Sequence, residues 1–230
     1  MVRETFDKEL QRLLDEVLAL GSRVENALTG AVETLKERDR EAAEELIAQD
    51  RAINEKRYEI ESDALTLIAR QQPMAGDLRM IAALLDLSSE LERIGDYAKG
   101  IAKINLMIGE EPLMKPLIDL PKMASKAADM LDQALTAFAR QDAEMARDIP
   151  SRDDEVDALY DQIYRELISL IMAEPSRIEQ ANYLLWAAHN LERAADRVTN
   201  ICERVVFTAT GELTELDADE GQRVSVEALE

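Results

Sequence analysis

The chain has 230 residues, long enough for one large domain or two small ones and for a substantial core. Its 48 acidic residues outnumber 27 Lys and Arg, giving a formal net charge of −21. That charge excludes nucleic-acid binding through the overall field and spontaneous attraction to an anionic membrane, both of which need a basic surface.

Hydrophobic residues make up 47 % of the chain, so it is a folding sequence and not an acidic tail. Gly (8) and Pro (6) are few and aromatics are 4 %, whereas the strong helix formers Ala, Leu, Glu and Arg are abundant. An all-α fold follows. There is one cysteine, Cys202, and one histidine, His189, which excludes an intrachain disulfide and a Cys/His zinc site. The stretch from Met1 to Leu10 lacks the apolar run of a signal peptide. The longest run without a charged residue, Gln180 to Leu191, is short of the ~18 residues a spanning helix needs. A cytoplasmic location is expected.

Prolines at 73, 112, 116, 121, 150 and 175 divide the chain. Helical segments are expected over 3–37, 40–70 and 77–108, then over 120–140, 143–173 and 177–210. Pro150 predicts a kink or short break in the fifth. The proline cluster marks a linker at 111–121 between a first bundle, 1–110, and a second, 122–210. Residues 211–230 read as an acidic, mobile tail.

The two halves repeat. Leu91-Glu92-Arg93-Ile94-Gly95-Asp96 returns as Leu191-Glu192-Arg193-Ala194-Ala195-Asp196, an offset of 100. Upstream the offset is 103: Asp50-x-x-Ile53-Asn54 matches Asp153-x-x-Val156-Asp157, and Arg38-Asp39 matches Gln141-Asp142. The third helix of each unit carries a stripe spaced alternately by 3 and 4, Leu84, Leu87, Leu91, Ile94, Ala98 and Ile101, then Leu184, Ala187, Leu191, Ala194, Val198, Ile201 and Val205. The expected fold is therefore two tandem three-helix bundles related by an internal repeat, elongated, with a pseudo-twofold relation.

Relative to that stripe, Glu92 and Asp96 fall one turn apart on a face turned away from the core, as do Glu192 and Asp196. Asp50 with Asn54 and Asp153 with Asp157 form the same i, i+4 pairing on the second helices. Such oxygen sets suit hard cations, Mg²⁺, Mn²⁺ or Ca²⁺, and iron. With 48 acids in 230 residues, however, ~10 acid–acid pairs at this spacing arise by chance. The repetition, not the pair, raises the metal reading. Elsewhere the plainer reading leads: His189 as a structural or surface histidine, Cys202 as a core residue, Trp186 as interhelical packing, the methionines as core filler, and Arg193, Arg197 and Arg204 as partners of acids. No glycine-rich phosphate loop, nucleophile elbow or ferritin-like Glu-x-x-His element occurs, so no enzymatic activity is expected.

Gln72-Pro73-x-Ala75-x-Asp77-Leu78-Arg79 with Glu90-Leu91-Glu92-Arg93-Ile94-Gly95-Asp96, and Asn190-Leu191-Glu192-Arg193-x-x-Asp196-x-x-x-Asn200-Ile201-Cys202-Glu203, resemble the paired signatures of the PhoU family. The resemblance spans almost the whole chain, to about residue 210. It implies a regulatory adaptor of phosphate homeostasis that restrains high-affinity phosphate uptake and the phosphate-starvation response. The implied partners are the phosphate-transporter ATPase and a sensor histidine kinase, with membrane contact only through them, no nucleic acid, and a homodimer. It also implies surface metal ions (iron, zinc, Mg or Mn) at Glu92, Asp96, Asp50 and Asn54 in the first bundle and at Glu192, Asp196, Asp153 and Asp157 in the second. Asn54 against Asp157, Gly100 against Asn200, and Pro150 just before Asp153 are departures between the halves. The rival readings are a carboxylate-bridged metal protein with enzymatic or storage activity, and a purely structural helical scaffold.

Overall fold

The computed structural model describes residues 2–216. Of the expected tail, 211–230, residues 217–230 lie outside the described residues. Among the described residues seven α-helices follow one another: α1 Val2–Glu37, α2 Arg40–Gln71, α3 Ala75–Ile108, α4 Asp119–Arg140, α5 Ala143–Asp148, α6 Asp153–Ala173 and α7 Ile178–Thr210. Single 3₁₀ turns at Pro150–Arg152 and Pro175–Arg177 separate α5 from α6 and α6 from α7. No strand occurs among the described residues.

Local chemistry sets these boundaries. Asp39 and Asp142, equivalent in the repeat, cap α2 and α5 by accepting from the backbone N–H of Ala42 at 2.9 Å and of Met145 at 3.0 Å. Pro121 sits in the first turn of α4, where its missing N–H would have no intrahelical acceptor anyway. Pro150 stands where the first unit has Ile47. The ring removes a donor, and the helix that runs unbroken as α2 becomes α5, a 3₁₀ turn and α6. This is the break expected from sequence. The segment between α3 and α4 is fastened to the second unit: Gln180, 5 % exposed, accepts from the Met114 N–H and donates to the Pro112 carbonyl at 3.0 Å. Residues 211–216 turn back, and the Leu216 N–H donates to Glu203 at 3.0 Å.

Each unit is an up-down-up bundle, α1–α2–α3 and α4–α5/α6–α7. The stripe on α3 and α7 is buried throughout, with no residue of it more than 2 % exposed. Burial at ~25 cal/mol per Å² of apolar surface drives this packing. The units do not keep separate cores. α3 packs along α7 and α1 along α4, so one continuous apolar cluster runs through the molecule. α1, α3, α7 and α4 form its central layer, with α2 on one flank and α5–α6 on the other. A Cβ at Gly21 of α1 would collide with Leu135 of α4, so the absence of a side chain there lets these two helices approach.

α3 and α7 run antiparallel. Glu90 lies beside Arg197 (3.5 Å) and Asn200 (3.3 Å), Asp86 beside Arg204 (3.1 Å), and the Arg193 guanidinium 4.8 Å above the Tyr97 ring. Arg197 and Arg204 thus pair with acids, as the acid-rich composition suggested, whereas Arg193 stacks on an aromatic ring instead. Trp186 corrects an expectation. It lies next to stripe residue Ala187 but is 52 % exposed, its ring edge-on to Tyr183 at 5.7 Å. One position along a helix is a rotation of 100°, enough to carry it off the buried stripe. Met74 and Met172, each 80 % exposed, likewise are not core filler.

Two candidate carboxylate sites

The eight predicted site residues lie on α2 and α3 in the first unit and on α6 and α7 in the second. The environments differ.

In the first, Asp50 projects from α2 and is only 5 % exposed. Its Oδ2 accepts from Lys99 Nζ of α3 at 2.6 Å and from Asn54 Nδ2 at 3.1 Å, while its Oδ1 is buried without a hydrogen-bond partner. The same ammonium reaches Asp96 Oδ1 at 3.3 Å. Lys99 therefore joins Asp50 to Asp96, and its hydrogen bond to Asp50 holds its pKa above the ordinary lysine value. Glu92 is half-buried. Burial, then Asp96 and Asp50, push its carboxyl above the usual range, against the pull of Arg57 and Arg93. A groove of about 350 Å³ between α1, α2 and α3, lined by Arg23, Asn26, Ile53 and Gly95 among others, opens beside Asp50 and Lys99.

In the second, Glu192 of α7 is approached by His189 Nδ1 at 2.9 Å, within ion-pair range but without hydrogen-bond geometry. His189 is 52 % exposed at its side chain and 6.2 Å from the Tyr160 ring of α6, in keeping with a surface histidine. Asp157 is exposed at the surface of α6. Partial desolvation, then Asp154 and Asp161 on its own helix, raise its carboxyl pKa. Asp153 and Asp196 each have an interaction partner. Among the described residues no three or more His, Cys, Asp or Glu side chains are grouped so as to hold a metal ion.

For metal, the donor sets give a clear answer in the first half. The place between Asp50 and Asp96 that a cation would neutralise is taken by the Lys99 ammonium, so the residues present do not fit a divalent ion there. Lys99 and Arg57 are the residues that attention to acids alone misses. Their repeat equivalents are Thr199 and Tyr160, so the sequence holds the signal once basic positions are aligned as well.

The sequence matches the family described as PhoU domain twice, over residues 17–104 and 120–205. It is 34 % identical over 218 residues to a Clostridium acetobutylicum protein named phosphate-specific transport system accessory protein PhoU homolog, covering 94 % of this chain and 100 % of that one. A Streptococcus pneumoniae protein of the same name is 36 % identical over 216 residues, with 94 % and 100 % covered. The crystal structure of PhoU from Pseudomonas aeruginosa superposes with a TM-score of 0.85 at 32 % identity, over 90 % of this chain and 99 % of that one. The phosphate transport system regulatory protein PhoU from Streptococcus pneumoniae gives 0.84 at 35 %, over 91 % and 99 %.

Proposed function

Because this chain belongs to the PhoU family, we propose that it is a regulatory adaptor of phosphate homeostasis, acting on a phosphate-specific transport system as an accessory protein and not as an enzyme. The observation that carries this reading is the match of both repeats across 94 % of the chain to the full length of a relative bearing that name.

In this reading the protein restrains phosphate uptake and the starvation response by contacting the transporter ATPase and a sensor kinase from the cytoplasmic side. No described helix is long and apolar enough to cross a membrane, which accords with membrane contact through partners. A net charge of −21 makes the surface as a whole a poor receptor for free phosphate and favours reading the state of a protein partner. Switching then requires tighter binding to one partner state than to another. Trp186, Tyr164, Ile168, Met172 and Ile178, all exposed on the second unit, supply apolar surface for such contacts.

The test is affinity purification from the native cell at high and at low phosphate. Recovery of a phosphate-transporter ATPase or a sensor kinase, changing with phosphate, is the expected result. If neither is recovered under gentle membrane solubilisation, or if recovery is the same at both phosphate levels, the adaptor mechanism is wrong.

A further inference from the structure

Three aligned positions separate the two carboxylate faces, and all three change charge in the same direction. Arg57, Lys99 and Asn54 in the first half stand where the second half has Tyr160, Thr199 and Asp157. The first face thus combines the carboxylates of Asp50, Glu92 and Asp96 with two cations. The aligned positions of the second are Asp153, Asp157, Glu192 and Asp196, with His189 beside Glu192 and no basic residue in the place of Lys99 or Arg57.

We infer that Lys99 is the resident cation of the first face, standing in the place of a divalent metal ion there, a role that Thr199 cannot fill in the second. Three features support this. The ammonium contacts both carboxylates, at 2.6 Å and 3.3 Å, which is the bridging position. Asn54 turns its amide nitrogen, a donor, toward Asp50 Oδ2, so the oxygen receives protons from two sides and presents no free lone pair to an incoming ion. Asp50 is buried and its second oxygen has no hydrogen-bond partner, so its charge rests on Lys99 far more than on solvent. A divalent ion entering this face would have to displace a hydrogen-bonded ammonium and bury a second positive charge beside it.

Removing the amine reverses this. Lys99→Thr copies the residue of the second half, leaves Asp50, Glu92 and Asp96 in place, and keeps the adjoining groove as a route of entry. The experiment is Mn²⁺ binding to the chelator-treated full chain, followed by calorimetry and by the loss of the free-ion electron spin resonance signal. In the wild-type background, Asp96→Asn is expected to leave the number of bound Mn²⁺ ions unchanged and affinity within twofold. Lys99→Thr is expected to gain one Mn²⁺ per chain, and adding Asp96→Asn to Lys99→Thr to remove it. A tenfold loss of affinity, or a lost equivalent, on Asp96→Asn alone overturns the proposal, because the first face would then bind metal with its lysine present. A folded Lys99→Thr protein with no additional Mn²⁺ overturns it too. Circular dichroism checks the fold. Should Lys99→Thr fail to fold, Asp96→Asn decides alone, since that side chain is 49 % exposed and its loss is tolerated.

Discussion

The first and second units share one backbone plan and hold it in different ways. In the first, polar side chains pin the helices. Asn105 of α3, fully buried, donates to the carbonyls of Thr34 and Asp39 at 2.8 Å each and accepts from Arg38, the residue with a left-handed backbone that turns α1 into α2. Six residues earlier in α3, Lys99 ties α3 to α2. In the second unit the equivalents are Val205 and Thr199, both buried and neither charged, and the middle helix is broken at Pro150. At these two positions a helical repeat can therefore be closed by specific polar bonds or by apolar packing, although the second unit has polar ties elsewhere, Gln162 and Glu155 of α6 to Asp119 and Lys126 of α4. The first way fixes register, and the second tolerates a broken helix.

The sharpest way to break the comparison is Leu91→Asp. Leu91 is fully buried in α3, and an unpaired carboxylate there costs roughly 3–5 kcal/mol or more. Because the core is continuous through α3 and α7, both units are expected to melt together. A melting temperature within about a degree of wild type would remove the stripe assignment, and a surviving second transition would show that the units fold separately. Position 99/199 comes next. Lys99→Met strands the buried Asp50 charge and is expected to cost about 3 kcal/mol in denaturant unfolding. Thr199→Val removes a buried hydroxyl that has no hydrogen-bond partner, so it is expected to be neutral or stabilising by up to about 1 kcal/mol, the opposite sign at the same repeat position. Asn105→Val, which makes the first unit resemble the second, removes two hydrogen bonds to carbonyls that keep their backbone donors and takes the Oδ1 acceptor from Arg38, and is expected to cost about 1–2 kcal/mol.

The smallest effect tests the contact between the units. Burial, then Asp132 and Asp129 of α4, raise the pKa of Glu25 on α1, so its ionised form is disfavoured in the folded state. A carboxyl raised on folding weakens the fold above its folded pKa, and the penalty vanishes as pH falls below the unfolded value of about 4.3. Glu25→Gln is therefore expected to stabilise by about 0.5 kcal/mol at pH 7 and to match wild type at pH 4. Equal gains at both pH values would show that packing, not charge, is responsible.

Much of this was legible in the chain. Period 3–4 spacing named every stripe residue of α3 and α7, and Pro150 announced its break because a missing backbone donor is a property of the residue itself. What the spacing did not reveal was partnership. The i, i+4 rule placed Asp50 beside Asn54 and Glu92 beside Asp96, but whether α2 faces α3 with a cation between them depends on tertiary packing. The acids drew notice because they recur, while Lys99 and Arg57 matter because they do not. Trp186 shows the same limit. Its neighbour is buried, and only the rotation about α7 decides that its own ring is not.

The antiparallel contact of α3 with α7 brings Gly95 and Ala195, repeat equivalents, to the same level, so the seam has the form of an isologous interface between two copies of one unit. In a true symmetric dimer of single units every residue would be present on both sides. Lys99 would bridge both carboxylate faces or neither, and Arg197 beside Glu90 would have its mirror image. Joining the copies in one chain lifts that constraint. Position 97 holds a tyrosine and 197 an arginine, and position 99 a lysine and 199 a threonine. The covalent link lets one molecule retain the shape of a symmetric pair while giving its two faces different chemistry.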